Sequence, residues 1–124
     1  MPRTAVPYSS LVPNGGLAEP AGTTINPTLV TNGVVVEAAD PERTLLRVAN
    51  TSTGAKTVTV RAGDGTAWMA GQGDLAVSVA SETGVSYIGP FTSARFQQTG
   101  TKLFVDFASG TTGTITVLKL PKAY

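Results

Sequence analysis

The chain contains no cysteine and no histidine. The first absence removes any disulfide framework and any thiolate nucleophile or metal ligand. The second removes the commonest general base and the commonest metal-binding side chain, so a Ser-His-Asp mechanism cannot be assembled. A Ser–Lys variant needs an apposed lysine, and Lys56, Lys102, Lys119 and Lys122 carry no motif around them. Charge is also sparse. Nine Lys and Arg oppose eight Asp and Glu, a net of +1, which makes no electrostatic case for nucleic acid or a membrane surface. No apolar run approaches the roughly 18 residues of a membrane span. The opening MPRTAVPYSSLVPNGG lacks the apolar core of a signal peptide and is expected to belong to the mature protein.

What is present is Thr, Val and Gly in abundance, with 14 Gly and 8 Pro, while Glu, Lys, Gln and Met are scarce. That is the composition of many short strands and turns. A length of 124 residues suits one domain with a real core.

Residues 1–22 read differently from the rest. Pro2, Pro7, Pro13 and Pro20 punctuate them, with Gly15, Gly16 and Gly22 between. Proline removes a backbone donor, so this segment is expected to stay out of sheet interiors as an extended arm. Val6, Pro7, Tyr8, Leu11, Val12 and Leu17 along it are the candidate partner-binding residues, because a purely solubilising tail would carry charge and serine instead.

From Thr23 the chain alternates. Thr23–Val30 reads as a strand bent at Asn26-Pro27, and Asn32-Gly33 as a hairpin turn into Val34–Val36. Arg43–Asn50 puts Leu46 and Val48 on one face and Leu45, Arg47 and Ala49 on the other. Lys56–Ala62 turns Val58 and Val60 inward, and the two segments are expected to pair as a hairpin or meander. Further strands follow over Asp74–Ala80, around Val85 and Tyr87, at Ala94–Gln98, around Leu103, Val105 and Phe107, and over Thr114–Leu120. Turns stand at Asp40-Pro41-Glu42, Gly63-Asp64-Gly65, Glu82-Thr83-Gly84 and Thr99-Gly100, and Trp68 and Met69 form a short apolar patch. No window has helical periodicity. The expected fold is all-β: an antiparallel β-sandwich, jelly-roll or Ig-like, of about eight strands over 23–124, preceded by the arm at 1–22.

The carboxylates do not form an evident acid–base pair. Glu19, Glu37, Asp40, Glu42, Asp64, Asp74 and Glu82 sit mostly in turns, where local solvation is the rule. Asp106 is mid-strand on the face opposite Val105 and Phe107, and is expected beside a basic cross-strand partner. Gly63-Asp64-Gly65 and Gly71-Gln72-Gly73-Asp74 precede no helix pattern and lack calcium-loop spacing, so they read as turns. No metal or cofactor is expected. Trp68, Tyr87, Phe91, Phe96, Phe104, Phe107 and Tyr124 suit a sandwich core, with a sugar-binding platform as the alternative. Apolar residues also fall on outward faces: Leu45 beside Leu46, Phe104 beside Leu103, and Leu118 and Leu120 beside Val117. Such faces need a cover, either an oligomer or docking interface or the N-terminal segment folded back.

Taken in order, the Pro-rich start, TTINPTLV, RTLLRVANTSTGAKTVTVRAGDG, IGPFTSARFQQTGTKLFVDF and GTITVLKLP resemble the small virion proteins of tailed bacteriophages, especially head decoration (capsid cement) proteins. The resemblance implies a non-enzymatic β-sandwich, made in the bacterial cytoplasm, that assembles on the outside of the capsid. It implies the major capsid protein as partner, a homotrimer or other homo-oligomer, and an arm crossing onto neighbouring subunits. Only the arm, 1–22, matches the family in role. A head-fibre base, a tail-associated domain or a carbohydrate-binding module are the alternatives.

Overall fold

The computed structural model describes residues 3–63 and 70–120. The Trp68–Met69 patch, most of the Gly63-Asp64-Gly65 turn, Pro2, Pro121, Lys122 and Tyr124 lie outside them. Among the described residues, besides 3-10 turns at Pro41–Arg43 and Ala70–Gln72, ten strands and two short α-helices run in the order β1 (Thr4–Ala5), β2 (Tyr8–Ser10), β3 (Thr23–Ile25), α1 (Pro27–Asn32), β4 (Val34–Val36), β5 (Thr44–Asn50), β6 (Lys56–Val60), β7 (Leu75–Val79), β8 (Gly84–Ile88), α2 (Ser93–Phe96), β9 (Leu103–Phe107) and β10 (Gly113–Lys119).

Alternation becomes burial almost residue for residue. Along β5, Thr44, Leu46, Val48 and Asn50 are buried and the residues between them half-buried; β9 buries Leu103, Val105 and Phe107 in the same way. One sheet has the order β1-β4-β9-β6-β7. The other has β2-β10-β5-β8, with β3 also on β10. Their inner faces meet in one core that includes Val34, Val36, Leu46, Val48, Val58, Val60, Leu103, Val105, Ile115 and Val117. Phe91 and Phe96, edge to face at 5.6 Å, are part of it.

The described residues of 1–22 form no extended arm. Residues 3–10 are strands of the sandwich itself. β1 pairs in parallel with β4, and β2 in parallel with β10, so both sheets are mixed rather than antiparallel. Val6, between the two, crosses from one sheet to the other and is 3% exposed. Arg3 anchors the start. It bonds Asp106 at 2.6 Å, donates to the Val105 carbonyl and stacks over the Phe104 ring at 4.3 Å. Pro7 is compatible with this because it falls between β1 and β2, where no ladder donor is required.

Three other expectations change for local reasons. The strand from Thr23 stops at Ile25. Asn26 then caps α1, its Oδ1 accepting from Leu29 N–H, with Pro27 in the first turn. Gly33 is consequently a helix C-cap at φ 80°, not a hairpin turn, and its N–H reaches the Leu29 carbonyl. β5 and β6 do not pair, since they lie in opposite sheets and pair with β8 and β9 instead. The loop between them is organised by Asn50, 1% exposed. Its Nδ2 donates to the carbonyls of Gly54, Val79 and Ala80, and its Oδ1 accepts from Ser52 N–H. Finally, the Ala94–Gln98 strand is the short helix α2, followed by a single bridge from Gln98 to Lys102.

Candidate docking surface

The outward face of the β10-β5-β8 sheet is read off its register. Thr116, Arg47 and Tyr87 stand abreast, as do Thr114, Ala49 and Val85, and Leu118 lies opposite Leu45. Residues 11–22 run over part of this face as a strap between β2 and β3. Leu11 N–H donates to the Lys119 carbonyl at one end. β3 pairs with β10 at the other. Between them Glu19 approaches Arg47 at 3.7 Å. Gly22 lies against Thr114 and Thr116, where a β-carbon would meet the Thr116 hydroxyl at 2.6 Å. The strap supplies the cover that the outward Leu118 required. A cleft remains between strap and sheet, lined by Leu11, Leu17, Pro20, Arg47, Tyr87 and Leu118, with Glu19 at its rim.

The candidate arm residues therefore divide. Val6 is core. Tyr8 is half-buried, its hydroxyl 2.7 Å from Thr44 Oγ1 and accepting from Asp40 N–H. Both side chains are used internally and are not free to serve as partner contacts. Leu11 is half-buried in the cleft and Pro7 is exposed. Val12 and Leu17 project from the strap, 52% and 40% exposed. The other exposed large apolar residues among those described are Val85 and Tyr87, at 44% and 59%. Sequence reasoning treated Tyr87 as one of many core aromatics. The available signal was Ile88, the largest apolar residue of the opposite parity, which turns Val85 and Tyr87 outward.

Most of the described carboxylates are engaged one by one. Asp106 lies between Arg3 and Arg61, the basic cross-strand partner expected for it, and Arg61 continues to Asp74 at 3.6 Å. Asp74 also accepts from Ala62 N–H. Asp40 pairs with Arg43, and Glu37 with Lys102. Glu42 accepts from the Ser93 hydroxyl. Among the described residues no group of three or more Asp and Glu gathers as a metal would require. Phe91, Phe96 and Phe107 are buried and Phe104 lies under Arg3. Tyr87 thus has no second exposed aromatic beside it among the described residues, and no stacking platform for a sugar is formed by them. Protein-family models, curated proteins and solved structures all yield no match to this chain.

Proposed function

We propose that this chain is a structural virion protein that binds the outside of a bacteriophage capsid lattice and stabilises it, acting through surfaces and without catalysis. The observation that carries the reading is the strap. It presents Val12 and Leu17 to solvent while both of its ends are fastened to β10. Exposed apolar side chains on a tethered loop are what a docking contact requires. The resemblance to head decoration proteins supplies the partner class, the major capsid protein, and the setting, the virion surface. The role assigned to a long arm passes to this shorter loop.

The mechanism is linkage. A protein that binds only the assembled shell stabilises it by its own binding free energy, and repetition over a lattice multiplies weak contacts. A loop already tethered at both ends gives up less conformational entropy on docking than a free arm would. The test is co-sedimentation of the full chain with purified capsids. Val12→Asp/Leu17→Asp should lower occupancy at least about tenfold, or about 1.4 kcal/mol, because docking would then bury two unpaired charges. Occupancy equal to wild type would refute the assignment.

A further inference from the structure

Among the described residues β8 ends one sheet and pairs only with β5, while β7 ends the other and pairs only with β6. They are consecutive strands joined by a tight turn, in which Gly84 packs against the backbone of Ala80. These two edges thus lie on one side of the sandwich, and β1 and β2 end the same sheets on the other. An open edge exposes unpaired N–H and C=O groups, and soluble proteins usually blunt it with Lys, Pro, a bulge or a covering segment. Neither LAVSV (β7) nor GVSYI (β8) contains a charge or a proline. Leu75 and Val77 pack toward the core yet remain half-buried, and Val85 and Tyr87 are exposed outward. Among the described residues, both strands are uncharged and their outer edges are unpaired.

We infer that this side is a two-fold interface between two copies of this chain, made by antiparallel β8–β8 pairing centred on Ser86. The case for a second copy is self-complementarity. With Ser86 opposite Ser86, Val85 of each copy faces Tyr87 of the other, giving two β-branched–aromatic cross-strand pairs on the outer face. Centring on Val85 sets Tyr87 against Thr83, and centring on Tyr87 sets Val85 against Gly89. A one-residue slip turns the partner's faces over. The Ser86 register also sets Glu82 against Pro90, so no like charges meet. A five-residue strand pair falls short of the roughly 1,200–2,000 Å² of a stable interface, so the interface requires the adjoining β7 edge, with the half-buried Leu75 and Val77, as well. Leu17 and Tyr87 line one cleft, but the inference is read by solution mass and capsid binding by co-sedimentation, so either can fail without the other.

The test is the solution mass of the full chain by light scattering and sedimentation. Wild type should be a dimer at about 100 μM and below. Val85→Lys/Tyr87→Lys sets Lys against Lys twice and should weaken dimerisation at least about 100-fold. Val85→Lys/Tyr87→Glu sets Lys against Glu twice and should restore it to within about tenfold of wild type. Ser86→Cys provides an independent readout. The chain has no native cysteine, and facing Cα atoms roughly 4.5–5.5 Å apart permit a disulfide. Mild oxidation should therefore give a covalent dimer, which Thr53→Cys, on an exposed loop, should not. Monomeric wild type, a dimer that survives the double Lys substitution, or a Ser86→Cys chain that crosslinks no better than Thr53→Cys would each overturn the inference.

Discussion

Val6 and Val12 stand six positions apart in the same proline-punctuated segment, and the fold assigns them opposite fates. Val6 is 3% exposed in the core, whereas Val12 is 52% exposed on the strap. Truncating Val6 to Ala removes two buried methyl groups at about 0.8–1 kcal/mol each, plus a cavity term. The expected loss is about 2 kcal/mol, a fall in melting temperature of about 6–10 °C for a chain of this size. Val12→Ala removes the same atoms from a site already half in water, and should cost less than about 0.5 kcal/mol. Urea denaturation followed by circular dichroism measures both, and an unchanged m-value would attribute the shift to stability alone. An N-terminal arm dangling from a complete domain would leave both variants at wild-type stability. If Val6→Ala falls within about 0.5 kcal/mol of wild type, the incorporation of residues 3–10 into the sheets is wrong.

The other predictions probe the points that join the layers. Asn50→Ala strips four hydrogen bonds from the β5–β6 loop, among them those to the buried Val79 carbonyl and Ser52 N–H. It should cost about 2–4 kcal/mol by denaturant titration. Gly113→Ala should cost at least about 2 kcal/mol by the same measure. Gly113 has φ 130° and its added β-carbon would collide with the Ala49 carbonyl. A Gly113→Ala chain as stable as wild type would place β10 in a different register on β5. Asp106→Asn keeps the shape but weakens the link between Arg3 and Arg61. It should destabilise by about 1 kcal/mol, since these side chains are only partly buried. High salt should shrink the difference.

Much of the scaffold was legible because each central strand writes its own two faces. Leu46 and Val48, Val58 and Val60, and Leu103 and Val105 declare the core by period alone, and Asp106 declares its outward position by the same rule. Asn26-Pro27 and Asn32-Gly33 read as a bend and a hairpin turn but cap a helix, because the same residue types serve both. Which they do depends on whether the intervening residues, Pro27–Asn32, find helical partners. The candidate surface was legible in part: Val12 and Leu17 were singled out, but Val6 and Tyr8 were grouped with them, and Tyr87 was assigned to the interior. Exposure of a single apolar residue is not encoded locally. It depends on what the rest of the chain places over it.

Taken alone, the sequence determined that the protein would be built of short strands around a Val-rich core, with neither histidine nor cysteine for chemistry. Alternation, turn residues and composition are local properties, so they survive without knowledge of the fold. Tertiary structure decided the rest: that β5 and β6 part into opposite sheets, that residues 4–10 supply two edge strands in parallel pairing, and that residues 11–22 form a strap. Parallel pairing joins segments as distant as Tyr8 and Val117, and nothing local to either records the other. Backbone donors in a short edge strand are satisfied by whichever open edge the folded sheets present.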